Sequence, residues 1–253
     1  MAETLLAEAP RARTGAAARR CRLFCALDTG DLDRARALAA AVGPHVDGLK
    51  LGLEFFHGAG PDGARAIAEA SGLPLFFDLK LHDIPNTVAG ALRSLRPLAP
   101  HYVTVHAAGG AAMLRAACAM AAENAAATGL PPTRILGVTV LTSIDDGDLR
   151  DTGITDPAAV QVRRLAALAT AAGCGGIVAS PLEIAAVRET VGPDLHIVIP
   201  GVRPADWAGD DQKRVMTAED AAAAGADVVV VGRPITAAPD PAAAARQIAA
   251  SLR

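Results

Sequence analysis

Aromatic residues are scarce in this sequence of 253 residues, of which 3% are Phe, Trp or Tyr. Hydrophobic residues nevertheless make up 51% of the chain, so its core has to consist mainly of small aliphatic side chains. A barrel of alternating strands and helices needs about 250 residues. The length and composition therefore suit a single domain of that kind.

Cysteine is also rare, and its spacing excludes two common kinds of site. The four cysteines form no Cys-x-x-Cys pair, and no histidine cluster lies beside them. A disulfide framework or a zinc site is therefore not expected, and we predict that the protein is cytoplasmic. No stretch approaches the roughly 18 uninterrupted apolar residues of a membrane span.

Positive charge is not in excess, because 24 Lys and Arg stand against 27 Asp and Glu, a net charge of −3. This balance argues against nucleic-acid binding by the whole surface but leaves room for a local basic pocket.

Residues 1–20 contain several arginines and no continuous apolar core. We predict a disordered N-terminal tail over 1–20 and one domain over 21–253.

Eight short apolar runs alternate with longer helical patterns from residue 22 onwards, which predicts a (β/α)8 barrel. The predicted strands are 22–28, 46–52, 74–80, 102–107, 134–142, 175–180, 195–201 and 226–233. The predicted helices are 31–42, 61–71, 86–97, 109–128, 157–173, 181–190, 217–225 and 240–251. A doubly wound open sheet is the alternative. The strand count and the lack of a glycine-rich loop after the first strand disfavour it.

Polar residues mark the ends of most predicted strands, where barrels of this type carry their reacting groups. These candidates are Asp28, Lys50, Asp78, Lys80, Asp83, His106, Thr142, Ser143, Arg203, Gly232 and Arg233. We interpret His106, like His82, as structural rather than as an acid or base.

The third strand carries the strongest signal. Because side chains alternate between faces with a period of two, Asp78 and Lys80 are predicted to share one face. Asp83 follows just past the strand end. A structural ion pair is the simpler interpretation, but three charges at one strand end favour a functional site.

The segment after the eighth strand is typical of a phosphate site. Gly232 allows close approach of the backbone, and Arg233 can grip a phosphate through two donors. Residues 202–220 are polar and predict either a lid that closes over the phosphate or a solvated surface loop.

Several motifs in order along the chain resemble the orotidine 5′-phosphate decarboxylase family. They include FFDLKLHDIPNTV at 76–88, PGVRP at 200–204, DDQKRV at 210–215 and VVGRPI at 230–235. The resemblance covers nearly the whole chain after residue 20. It implies cofactor-free decarboxylation of orotidine 5′-phosphate to UMP in pyrimidine biosynthesis.

The resemblance also implies roles for individual residues. Lys80 would protonate C6 of the pyrimidine, and Asp78 would lie against the substrate carboxylate. Asp83 and Thr87 would reach the partner's site in a homodimer. The remaining implied binding residues are Asp28 and Lys50 for the ribose, Thr142 and Ser143 for the pyrimidine, and Arg203, Gln212, Gly232 and Arg233 for the phosphate, with 203–213 as the closing loop.

Three other functions stay open at the level of sequence. A metal-dependent enzyme acting on sugar phosphates could use the same spacing of Asp78, Lys80 and Asp83. An aldolase could use Lys80 as a Schiff-base amine, although adjacent carboxylates work against the depressed pKa that this chemistry needs. A barrel that only binds a phosphorylated nucleotide is the third.

Overall fold

The predicted barrel is confirmed in the computed structural model, which describes residues 20–203 and 216–252. Eight parallel strands pair in chain order, and β8 closes the barrel on β1. The strands are β1 Arg22–Ala26, β2 Gly48–Leu51, β3 Leu75–Leu81, β4 Tyr102–His106, β5 Arg134–Val138, β6 Gly176–Val178, β7 His196–Ile199 and β8 Val228–Val231. The predicted tail over 1–20 stays a prediction, because residues 1–19 lie outside the described residues.

Helices connect the strands and cover the outside of the barrel. They are α1 Leu32–Val42, α2 Leu53–Ser71, α3 Pro85–Ser94, α4 Gly110–Thr128, α5 Asp146–Asp151, α6 Ala158–Ala171, α7 Ile184–Val191, α8 Ala218–Ala223, α9 Arg233–Thr236 and α10 Pro241–Ser251. In the described part of the chain, none of these helices combines the length and the apolarity that a membrane crossing requires.

The boundaries of several elements differ from the prediction. The first and fifth strands were predicted to reach residues 28 and 142 but end at Ala26 and Val138. The polar residues that follow these strands leave the sheet and turn into the barrel mouth. The predicted helix 61–71 is only the second half of α2, because Gly60, at φ 61°, kinks a helix that begins at Leu53.

Three of the aromatic residues meet inside the barrel. Phe24, Phe76 and Tyr102 pack edge to face or tilted, with ring centroids 5.5 to 6.3 Å apart. All three are almost completely buried, together with aliphatic residues such as Leu136 and Val198. A larger aliphatic layer fills the space between strands and helices. The aromatic group closes the interior beneath the mouth, so that the polar strand ends above it face a cavity.

All four cysteines are free thiols. Cys21, Cys25 and Cys174 are buried, and Cys118 is half-buried on α4. The Sγ atoms of Cys118 and Cys174 lie 3.9 Å apart. This packing places α4 directly against the turn that leads into β6.

Candidate active site

A cavity of about 450 Å³ opens at the carboxyl ends of the strands. Most of the residues predicted from the strand ends line it, and they are Asp28, Lys50, Asp78, Lys80, Thr142, Ser143, Arg203, Gly232 and Arg233. Its floor and walls are apolar and include Phe76, Val138 and Val198. The polar groups therefore project from several different strands into one partly apolar space, as expected for a ligand site.

Four charged side chains of alternating sign lie next to one another at the carboxyl ends of β1, β2 and β3. Nζ of Lys80 donates to both carboxylate oxygens of Asp78 at 2.8 Å. Nζ of Lys50 donates to Oδ1 of Asp28 at 3.0 Å and lies 3.6 Å from Oδ2 of Asp78. Each ammonium thus has a carboxylate beside it, and Asp78 lies between two lysines.

Burial and neighbouring charges shift the pKa values of Lys50 and Asp78 in opposite directions. Burial lowers the pKa of Lys50, but Asp78 and Asp28 outweigh it and hold that pKa above the ordinary 10.5. Burial raises the pKa of Asp78, but Lys50 and Lys80 outweigh it and hold that pKa below the ordinary 3.8. Both groups are therefore charged throughout the neutral pH range.

Lys80 adopts a backbone conformation that the predicted alternation did not include. Its φ is 47°, in the left-handed region, and the pairing of β3 with β4 shifts register between Phe77 and Leu81. Such a conformation costs about 1–3 kcal/mol and is typical of functional sites. Asp78 and Lys80 do meet on one side, as predicted, but an irregular strand brings them together. The Lys80 side chain keeps 29% of its surface exposed, so its ammonium is open to the cavity.

Thr104 is a site residue that the sequence did not reveal. This completely buried residue on β4 accepts a hydrogen bond from the Lys80 backbone nitrogen at 2.9 Å. Its hydroxyl donates to Oδ1 of Asp78 at 3.0 Å. A threonine inside an apolar strand is ordinary in sequence, and only the structure shows where its hydroxyl points.

Gly52 is a second residue that sequence reasoning missed. A Cβ at this position would lie 3.0 Å from Nζ of Lys50 and 3.2 Å from Oδ1 of Asp28. A side chain would therefore crowd the ion pair that ends β2. The sequence shows a glycine two residues after Lys50, but nothing in that spacing indicates which atoms approach it.

Two predicted residues do not line the cavity of their own chain. Asp83 and Thr87 are exposed, at the end of β3 and in the first turn of α3. Oδ1 of Asp83 accepts a hydrogen bond from the backbone nitrogen of Ile84 at 2.6 Å. Ile84 itself is 67% exposed, which is unusual for a large apolar residue. None of these three residues lines the cavity that Asp78 and Lys80 line.

The predicted phosphate residues follow β7 and β8, the strands that close the barrel against β1. Arg203 is 8% exposed, and its guanidinium donates to the carbonyl of Val202 at 2.9 Å. Gly232 connects β8 to α9, and Arg233 begins α9. Gln212 and most of the predicted lid 203–213 lie outside the described residues.

His82 and His106 lie with their rings tilted and the ring centroids 5.3 Å apart, and neither lines the cavity. Burial, together with the charges of His82 and Lys80, lowers the pKa of His106.

Over residues 20–203 and 216–252, no three His, Cys, Asp or Glu side chains are grouped so that they could hold a metal ion.

Comparison with known proteins gives a consistent result over almost the whole chain. The sequence pattern of the orotidine 5′-phosphate decarboxylase / HUMPS family matches residues 21–248. The orotidine 5′-phosphate decarboxylase of Thermobifida fusca is 54% identical over 228 residues, which cover 90% of this chain and 94% of that protein. The enzyme of the same name from Paramagnetospirillum magneticum is 51% identical over 230 residues, covering 91% of this chain and 97% of that protein.

A solved structure agrees with these sequence matches. The crystal structure of orotidine 5′-phosphate decarboxylase from Lactobacillus acidophilus is 35% identical in sequence and superimposes with a TM-score of 0.82. The match covers 92% of this chain and 99% of that one. The resemblance inferred from the motifs is thus confirmed in both sequence and fold.

Proposed function

The chain belongs to the orotidine 5′-phosphate decarboxylase / HUMPS family, and we propose from this that it is the carboxy-lyase that converts orotidine 5′-phosphate to UMP in pyrimidine biosynthesis. The observation that carries the proposal is the Lys80 ammonium, held at 2.8 Å by both oxygens of Asp78 in the barrel mouth. The contacts of the described residues support a mechanism that needs no cofactor.

Lys80 has the position and charge for the central step. When the bond between C6 and the carboxylate breaks, its electron pair stays on C6 and CO2 leaves. A fixed ammonium stabilises this developing negative charge because it needs no reorganisation at the moment of reaction. The proton then moves from Nζ of Lys80 to C6, and solvent returns a proton to the amine. Its bonds to Asp78 fix the ammonium in place while its remaining surface faces the cavity.

Asp78 and Lys50 act on the substrate from the same network. Asp78 brings a second negative charge near the substrate carboxylate, so departure of CO2 relieves the repulsion between them. Lys50 and Asp28, joined at 3.0 Å, present a donor and an acceptor at the ends of β2 and β1, which suits ribose hydroxyls. Their mutual contacts hold these groups in position before the substrate binds.

The rest of the cavity lining would hold the other two parts of the nucleotide. Thr142 and Ser143 follow β5 and offer hydroxyl groups to the pyrimidine. Arg203, Gly232 and Arg233 provide cationic and backbone groups for the phosphate. We assign Gln212 and the closing loop 203–213 to the same role on the strength of the family motif.

We also propose that the active enzyme is a cytoplasmic homodimer in which Asp83 and Thr87 enter the partner's cavity. Both residues are exposed and lie outside the cavity of their own chain. The exposed Ile84 between them gives the same segment an apolar contact surface. Such a shared site would require a two-fold interface, the commonest symmetry of soluble oligomers.

Turnover of orotidine 5′-phosphate, followed by ultraviolet absorbance and CO2 release, tests the function. We expect turnover by the wild type with and without a chelator, and a loss of at least about 10³-fold in Lys80→Ala. Arg65→Ala is the matched control, because Arg65 also forms an ion pair, with Asp62 on the exposed side of α2, and should keep full activity.

Each alternative function predicts a different experimental result. Loss of activity on chelation would indicate a metal-dependent relative. Trapping of Lys80 by borohydride in the presence of substrate would indicate Schiff-base chemistry. Tight binding of UMP with no CO2 release would indicate a binding protein.

A further inference from the structure

We propose that Thr104 is a positioning residue for the decarboxylation, because its single hydroxyl fixes both the backbone of Lys80 and the carboxylate of Asp78. The inference rests on the proposed function of this site. Thr104 does not line the cavity, so it would act through the two residues that do.

The irregularity in β3 creates the need for such a residue. In a regular parallel ladder the Lys80 nitrogen would donate to a main-chain carbonyl of a neighbouring strand. The register of β3 and β4 instead shifts between Phe77 and Leu81, and Lys80 adopts a φ of 47°. Its nitrogen donates to Oγ1 of Thr104 at 2.9 Å. The threonine side chain therefore takes the place of a backbone acceptor at the bulge.

The direction of the two hydrogen bonds is fixed by chemistry. A backbone N–H can only donate, so Oγ1 of Thr104 must accept from Lys80. A carboxylate can only accept, so the hydroxyl proton must point to Oδ1 of Asp78, 3.0 Å away. The Lys80 backbone thus donates to Thr104, and Thr104 donates to the same carboxylate that accepts from the Lys80 ammonium. This small ring of contacts ties the strained backbone of Lys80 to the position of its own side chain.

Burial makes the hydroxyl necessary rather than optional. Thr104 is completely buried, so water has no direct route to replace its hydroxyl. A valine of nearly the same shape would leave the Lys80 N–H without its acceptor and Asp78 without one of its donors. A serine keeps the oxygen and its proton and can restore both bonds. The distinction between these two variants separates hydrogen bonding from packing.

The experiment compares Thr104→Val, Thr104→Ser and Thr139→Val by their kcat and KM for orotidine 5′-phosphate. Thr139 is the matched control, because its buried hydroxyl donates to the carbonyl of Val178 at 3.0 Å and does not line the cavity. We expect Thr104→Val to lower kcat by about 10- to 100-fold, the usual effect of one hydrogen bond to a charged group. KM should change by less than about threefold, since Thr104 does not touch the cavity. Thr104→Ser should recover most of kcat, and Thr139→Val should keep it.

Amide hydrogen exchange at Lys80 gives a readout that does not depend on catalysis. The Lys80 amide should exchange faster in Thr104→Val than in the wild type, in Thr104→Ser or in Thr139→Val. Unchanged kcat and unchanged exchange in Thr104→Val would overturn the inference. A loss in Thr104→Ser as large as that in Thr104→Val, or an equal loss in Thr139→Val, would also overturn it, because packing alone would then explain the effect.

The same experiment separates this inference from the proposed function. Absence of turnover by the wild type would contradict the function, and the amide exchange of Lys80 would still test the positioning. Normal wild-type turnover with no effect of Thr104→Val would contradict the positioning role of Thr104 and leave the proposed function intact.

Discussion

At the scale of single residues, the site requires that four side chains in the mouth of the barrel stay charged. Burial of an isolated ion costs several kcal/mol, so each charge here has an opposite neighbour. Asp78 is the central member, because it contacts Lys50 on one side and Lys80 on the other. Such an arrangement is a weak way to stabilise a fold, but it keeps an ammonium rigid and charged next to a substrate.

The same contacts predict how the site responds to pH. The pKa of Asp78 is lowered, so the stability that its charge contributes is present above about pH 3.8 and is lost as the pH falls through its folded pKa. The pKa of Lys50 is raised, so its contribution is present below about pH 10.5 and is lost as the pH rises through its folded pKa. Neither group therefore titrates between these limits.

In Lys50→Gln we expect the acid limb of the kcat profile to move to higher pH. Among the charges that lower the pKa of Asp78, Lys50 has the largest effect, so its removal lets that pKa rise. The profile of kcat against pH measures the shift. Arg36→Gln is the control, because Arg36 pairs with Asp33 on the exposed face of α1. An acid limb at the same pH in wild type and Lys50→Gln would show that Lys50 does not set the ionisation of Asp78.

At the scale of secondary-structure elements, the sequence was sufficient for the number, order and type of the strands. Apolar runs bounded by Gly, Pro or Asp indicate the strands, because a parallel strand covered on both faces consists mostly of apolar residues. The predicted ends of β1 and β5 lie beyond the observed ones, because apolar residues continue after each strand. Leu27 after β1 is buried in the core, and Val140 and Leu141 after β5 line the cavity. The short helices α5 and α9 were missed because four to six residues carry no clear periodicity.

The bulge in β3 shows why part of the site could not be predicted. Strict alternation placed Asp78 and Lys80 on one face, and the structure does bring them into contact. The left-handed Lys80 and its bond to Thr104 depend on the register between β3 and β4. Register is a tertiary property, and no local pattern in either strand specifies it.

The interior of the barrel gives a prediction about how β1 and β2 pack. A Cβ on Gly48 would come within 2.3 Å of the Phe24 ring and 2.7 Å of the carbonyl oxygen of Pro74. Because that ring is held by Phe76 and Tyr102, Gly48→Ala should lower the free energy of unfolding by about 1–3 kcal/mol. Urea unfolding measures the change.

Gly30→Ala is the control for this substitution. A Cβ there would lie 3.7 Å from the nearest atom, which is ordinary contact, so the free energy of unfolding should change little. Equal stability of Gly48→Ala and Gly30→Ala would show that the Phe24 ring can move aside, and that the aromatic group is not a rigid floor for the cavity.

At the scale of the whole molecule, one chain brings together most of the predicted site but not all of it. Asp83 and Thr87 belong to the same motif as Lys80, yet they lie outside the cavity that Lys80 lines. A motif records which residues occur together in sequence and not whether they serve the same site. A homodimer resolves this separation if each chain lends Asp83 to its partner.

Mixing two inactive variants tests that exchange. If Asp83 acts across the interface, a hybrid of Lys80→Ala and Asp83→Ala contains one site with both residues intact and one site that lacks both. Random exchange of equal amounts makes about half of the dimers hybrid, so we expect recovery of about one quarter of wild-type turnover. Native mass spectrometry of differently tagged subunits verifies that hybrids form.

A mixture of Lys80→Ala and Asp78→Ala is the decisive control, because the structure shows these two residues in contact within one chain. Each site of that hybrid still lacks one of the two residues, so no turnover should return. Recovery in the first mixture and not in the second is the result that a shared site requires. If hybrids form and neither mixture recovers, Asp83 serves the site of its own chain. Recovery in both mixtures would instead mean that Asp78 and Lys80 do not have to come from the same subunit, which contradicts the ion pair on which the mechanism depends.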